Sequence, residues 1–178
     1  MRGFTLIELL TVVLIIGILT AIALPWYQSA VDASRYTQLK ALVHSVKNAA
    51  EVAFMQKGEY PARLDMLDVS LPTQCTISED NPTFANCGKF YIDFMDGPDR
   101  NVVGSMNPSS SGYSTSGDYV AYVQWLNNSS FPQKQECRTP AGSTRMQKLC
   151  EGAESGTLDG VAGGEGTECP ACRRYWLP

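Results

Sequence analysis

The sequence of 178 residues is poor in the groups that build most active sites, with a single histidine, His44, and no cysteine before position 75. A Ser-His-Asp or Cys-His catalytic set would have to be assembled around His44, which lies beside an apolar helical stripe where a surface or packing role is expected. Neither sign of charge dominates: 14 Lys and Arg stand against 18 Asp and Glu, a formal charge of −4. That balance, with 44% apolar residues, excludes a disordered polyelectrolyte. No second apolar run long enough to cross a bilayer follows Leu24, which excludes a multispan membrane protein. No glycine-rich phosphate loop follows a strand pattern, and the stretch Gly152–Gly166, set between acids, reads as an exposed loop.

What is present is concentrated at the start. Phe4 to Leu24 is a run of 21 residues in which only Thr5, Glu8, Thr11 and Thr20 are polar. As a helix it would extend about 31 Å, the thickness of a bilayer's hydrocarbon core. A secretory signal peptide is the alternative, but its apolar core is shorter and ends at small residues. Here Pro25-Trp26-Tyr27 follows, which suits an interfacial aromatic anchor better than a cleavage site. Glu8 is the anomaly: an ionised carboxylate near a bilayer centre costs roughly 2.5–3.5 kcal/mol. It either snorkels to the headgroups or meets a cation from another chain.

Gly3-Phe4-Thr5-Leu6-Ile7-Glu8-Leu9-Leu10 and the apolar run to Pro25 resemble the N-terminus of type IV pilins and of type II secretion pseudopilins. The resemblance covers about residues 3–30. It implies a leader of residues 1–3, cleavage by a prepilin peptidase between Gly3 and Phe4, and N-methylation of Phe4. It also implies that Glu8, fifth in the processed chain, meets the Phe4 amine of a neighbouring subunit during assembly. A softened helix around Gly17 and Pro25 is a further implication; Gly and Pro each weaken a helix interior, so a kink or local melting is expected there.

Beyond Pro25, Leu39, Leu42, Val43, Val46, Ala49, Ala50, Ala53 and Phe54 recur at helical spacing, with Gly58 a natural stop. One helix from Phe4 to Lys57 would reach roughly 80 Å. Its first half, residues 4–25, belongs in a membrane or filament core, and its second, 26–58, lays its stripe on a head of residues 59–178. Gly58-Glu59-Tyr60-Pro61 is reminiscent of the turn after the long helix of pseudopilins. Lys89–Met95 and Tyr119–Leu126 read as strands and Ser105–Gly117 as exposed loop. The expected fold class is α+β: a long N-terminal helix packed on a small antiparallel sheet with long, disulfide-stapled loops.

Six cysteines, Cys75, Cys87, Cys137, Cys150, Cys169 and Cys172, all follow the apolar run, as expected of an exported, oxidised head. Of the 15 possible pairings, the expectation is the neighbour pairs Cys75–Cys87, Cys137–Cys150 and Cys169–Cys172. Cys169-Pro170-Ala171-Cys172 lacks the helix a redox C-x-x-C would open, and the remaining spacings do not suit zinc. Asp93, Asp96, Asp99 and Asn101 match no calcium loop and read as a solvated acidic turn, although major pseudopilins hold calcium in the head. Residues 1–57 carry a net charge of +2, leaving −6 for the rest, which argues against nucleic-acid binding. The tail Arg173-Arg174-Tyr175-Trp176 is read as a last strand with its aromatics in the core and its arginines wet.

These readings converge on a non-enzymatic, cofactor-free prepilin: a subunit of a type IV pilus or pilus-like filament, with no metal site expected. The resemblance implies, as partners, copies of itself and other pilins, prepilin peptidase, an inner-membrane assembly platform and the membrane. The precursor is expected in the inner membrane, N-terminus cytoplasmic and head periplasmic, and later in a cell-surface filament. A pseudopilin of a secretion or DNA-uptake system, and a single-pass anchored binding protein, are the alternatives.

Overall fold

Helix α1, Leu6–Lys57, is a single unbroken helix of 52 residues. In the computed structural model, residues 4–95, 100–107, 117–154, 157–162 and 172–178 are described. The helix opens on a Thr5 cap in extended conformation and closes at Gly58, whose φ of 77° is the left-handed geometry glycine adopts without strain; its N–H donates to the Phe54 carbonyl at 2.8 Å. Gly17 and Pro25 remain helical, so the expected local melting is not found in the single subunit. Proline removes one rung of the ladder, and the helix continues through it.

Two environments divide the helix. Up to Ala30 every described side chain is exposed, and burial begins at Asp32. Thereafter Tyr36, Leu39, Val43, Val46 and Ala50 are buried at intervals of three and four, the period of one helix face. The sequence stripe therefore holds from Leu39 onward; Tyr36 and the buried acids Asp32 and Glu51 extend it in ways hydropathy did not signal.

The stripe packs on one eight-stranded antiparallel sheet, larger than the small sheet expected. Its strands are β1 (Thr76–Ile77), β2 (Phe84–Asn86), β3 (Phe90–Met95), β4 (Asn101–Met106), β5 (Val120–Trp125), β6 (Gln135–Pro140), β7 (Thr157–Ala162) and β8 (Cys172–Leu177). The first six form a meander; the chain then passes through helix α2, Thr144–Glu154, and β8 inserts between β6 and the edge strand β7. Gly104 in β4 sets the depth of the contact. A Cβ there would lie 2.3 Å from Val43 Cγ2 and 2.8 Å from Leu39 Cδ1, so the helix rests directly on the strand backbone. Around it Tyr36 meets Tyr122 edge to face at 6.2 Å, and Ile92, Phe94, Val102, Val120 and Tyr175 complete the core.

The loop assignments need correction. Ser105 and Met106 belong to β4 and are buried, because Ser105 pairs with Tyr91 on one side and Ala121 on the other; residues 108–116 lie outside the described residues. The stretch assigned as loop from Gly152 begins inside α2 and contains β7, whose pairing with β8 overrides the weak strand propensity of its glycine. The terminal strand β8 places Tyr175 in the core as expected, but Trp176, next along the strand and so on the opposite face, is only half-buried, and the arginines are not simply wet. Arg174 Nε lies 3.0 Å from Oε2 of fully buried Glu136, whose other oxygen pairs with Arg138, and Arg173 donates to Gln147 Oε1 at 3.0 Å. Buried charge must be paired, and Glu136 draws the cations in.

Disulfides join Cys75 to Cys87 and Cys137 to Cys150. Cys172 is disulfide-bonded as well; Cys169 lies outside the described residues.

Candidate functional site

The described residues singled out at the N-terminus, Phe4, Glu8, Gly17 and Pro25, share one feature, which is that all are exposed. Phe4 is 83% exposed and Trp26 79%, and the leucines and isoleucines between them are exposed all round the helix. This is the one described helix long and apolar enough to cross a membrane, and none of that apolar window is buried. A soluble chain rarely leaves an apolar patch larger than a few hundred Å² in water. An apolar surface of this extent calls for a cover that the head does not supply.

At its start Glu8 has a partner that sequence reading missed. Thr5 is the cap, its Oγ1 accepting from the Glu8 backbone N–H at 3.4 Å. In return the Glu8 Oε2 accepts from the Thr5 backbone N–H at 2.8 Å and from the Thr5 hydroxyl at 2.6 Å. This is a capping box, and Thr-x-x-Glu before an apolar run is its sequence signature. It holds a carboxylate at the positive end of the helix dipole, which lowers the cost of keeping charge there. Glu8 is therefore held within its own chain. Gly3 lies outside the described residues, and Gly17 has open space around its Cα. Along the same helix Thr11 and Thr20 return their hydroxyls to carbonyls one turn back, hiding their polarity from an apolar surrounding.

The second half of the helix is fastened to the head by ionic and polar latches. Arg145 of α2 reaches buried Asp32, Nε at 2.7 Å and a terminal nitrogen at 2.5 Å from the same Oδ2. Glu51 accepts from the Asn127 backbone N–H at 2.7 Å and from the Tyr60 hydroxyl at 3.1 Å. Burial pushes the Tyr60 phenol above its usual range, and Glu51 beside it adds to the rise. Lys40 sits 5.4 Å from the centroid of the Tyr36 ring, and burial pulls its ammonium below the usual range.

His44 is exposed on α1, and no group of three His, Cys, Asp or Glu among the described residues could hold a metal. Of the acidic turn, Asp93 and Asn101 fall on neighbouring strands, while Asp96 and Asp99 lie outside the described residues. Asp93 is half-buried and accepts from the Thr83 hydroxyl at 3.1 Å; burial raises its carboxyl above the ordinary value.

The site is thus an uncovered apolar half-helix with an acid at its cap and a head packed on its other half. Residues 1–24 match the family model of the prokaryotic N-terminal methylation motif. The chain is 38% identical over 102 residues to a fimbrial protein of Pseudomonas aeruginosa, covering 57% of this chain and 64% of that protein. It is 48% identical over 61 residues to the fimbrial protein EcpC of Eikenella corrodens, covering 34% of this chain and 40% of that one. It is 46% identical over 55 residues to the type IV major alpha-pilin of Moraxella bovis, covering 31% and 35%. The chain thus spans less than two thirds of the length of the relatives it matches. No solved structure matches it. The motif and these similarities together support assignment to the type IV pilin family.

Proposed function

We propose that the chain is a structural subunit of a type IV pilus, made as a membrane-held prepilin and polymerised through its apolar helix. The observation that carries this is the exposed apolar helix surface from Phe4 to Tyr27, coupled to the methylation motif over residues 1–24. In this reading residues 1–3 are removed between Gly3 and Phe4, Phe4 is methylated, and residues 4–25 pass from bilayer to filament core. Residues 26–58 and 59–178 form the stalk base and the surface-facing head. The partners are copies of itself and other pilins, with prepilin peptidase and an assembly platform acting on the precursor. The precursor lies in the inner membrane with its N-terminus cytoplasmic.

Assembly is physical rather than catalytic. Each apolar helix loses lipid contacts and gains helix contacts, so the net drive comes from packing and from polar pairing rather than from water exclusion. Glu8 supplies the pairing: released from Thr5, or still held by it, its carboxylate meets a neighbour's Phe4 amine in a low-dielectric core, fixing axial register.

The capping box favours a second reading, a single-pass anchor, since Thr5 alone can satisfy Glu8. The two diverge at Glu8→Leu. A pilus subunit should lose surface filaments at unchanged membrane level, while an anchor should be unaffected. Intact mass of protein sheared from the cell surface, without reductant, is the direct test. A chain starting at methylated Phe4 supports the pilus reading; one found only in membranes and starting at Met1 sinks it.

A further inference from the structure

Where the head meets the stalk, a groove of about 570 Å³ opens between α1 and α2, running from Pro25 on one helix to Gly152 on the other. Its walls are apolar at Pro25, Ala33 and Leu149, and its charge comes from Asp32, Arg145 and Lys148. Asp32 is buried and spent on Arg145 through one carboxylate oxygen, which leaves the pair neutral. Lys148 is exposed and makes no ion pair among the described residues. The groove therefore carries one net positive charge, on a head whose residues beyond 57 sum to −6. Arg145, its side chain 38% exposed, still offers donors to the groove, because only Nε and one terminal nitrogen face Asp32.

Position gives this charge its meaning. Pro25 lines the groove, and the exposed rings of Trp26 and Tyr27 follow it, which is where an apolar span ends and headgroups begin. Asp32 lies seven residues on, about 10 Å up the helix. A groove at this height, apolar on its walls and cationic at its rim, matches the glycerol and phosphate of one lipid.

We infer that this groove holds the phosphate headgroup of an anionic phospholipid from the leaflet on which the head stands, with Lys148 and the free edge of Arg145 as the recognising cations. The inference rests on the first half of α1 lying in a membrane, as proposed above. The bound lipid fixes the head's tilt on the bilayer before assembly, and it must leave when the subunit is extracted.

The test uses the full chain in nanodiscs of phosphatidylcholine with a minority of phosphatidylglycerol, released and weighed by native mass spectrometry. The expected result is retention of phosphatidylglycerol about fivefold above its share of the bilayer, the factor one lysine contributes beside anionic lipid. Lys148→Glu should abolish the preference and Lys148→Arg should keep it, with the melting temperature unchanged in both because the side chain is exposed. Equal retention of the two lipids, or a preference that survives Lys148→Glu, overturns the inference while leaving the membrane reading intact. A chain that never enters the nanodisc overturns the membrane reading and this inference with it. Inorganic phosphate in excess should not strip the lipid; stripping would assign the groove to a free anion instead.

Discussion

Gly104 and Asp93 show how single positions report on the packing of the head. At Gly104 the Val43 methyl occupies the place a Cβ would take, at 2.3 Å, and valine on a helix has little rotamer freedom with which to retreat. Gly104→Ala should therefore lower stability by about 1–3 kcal/mol through overpacking, read from the denaturant midpoint. Adding Val43→Ala should recover part of that loss, so that the double variant is less destabilised than the sum of the singles. Asp93 works in the opposite sense, because burial raises its folded pKa despite the bond from Thr83. A carboxyl whose folded pKa is raised favours folding when protonated, and that advantage fades as pH climbs through the folded value. Asp93→Asn keeps an acceptor for Thr83 and removes the charge. The variant should melt higher than wild type at pH 7, and the two should converge below the ordinary aspartate value of 3.8, as a calorimetric pH series would record.

At the scale of elements, α2 is held to the sheet by the Cys137–Cys150 bond, by Met146 in the core and by Arg145 on Asp32. The disulfide closes a loop with a sequence separation of 13, for which chain entropy assigns about 3 kcal/mol. Cys137→Ser with Cys150→Ser should cost about 2–3 kcal/mol, and hydrogen exchange should rise in α2 while β3 to β5 stay protected, since those strands are paired on both sides. How much of this was legible in the sequence follows the strength of each local signal. The long helix, its Leu39–Ala50 stripe and the strands at Phe90–Met95 and Val120–Trp125 were readable because their apolar periods are strong. Strand β7 was not, since Thr-Leu-Asp-Gly-Val-Ala has weak propensity and gains its structure from β8. Helix α2 was hidden by its polar surface, and the latch from Arg145 to Asp32 spans 113 positions, beyond any local pattern. At the N-terminus the Thr-x-x-Glu signature is in plain view, but a carboxylate inside an apolar run points as readily to a partner on another chain as to the cap.

For the whole molecule, the division of α1 is the property on which everything else depends, and truncation tests it. Every buried residue of the helix lies at Asp32 or beyond, so the residues before Ser29 contribute no buried side chain to the head. A chain beginning at Ser29 retains the Asp32–Arg145 latch and the Tyr36 contact with Tyr122, and Ser29 is itself a good helix cap. It should be soluble and monomeric, because the exposed apolar surface is gone, and its head should melt where that of the full chain in detergent does. A chain beginning at Gln38 loses Asp32 and Tyr36 together. Removing a fully buried aromatic ring from a close-packed core costs about 3–5 kcal/mol, and Arg145 is left without its acid. Such a chain should unfold at distinctly lower denaturant, or fail to fold at 37 °C if the head is as marginal as most domains of its size. A Ser29 chain that aggregates or melts as low as the Gln38 chain would mean that the apolar half stabilises the head directly. It could not then be free to move from bilayer to filament core, because each transfer would be opposed by the folding energy of the head. Equal stability of the Ser29 and full-length chains is what a stalk exchanged between two apolar surroundings requires: one end of the helix committed to the fold, the other to whatever surrounds it.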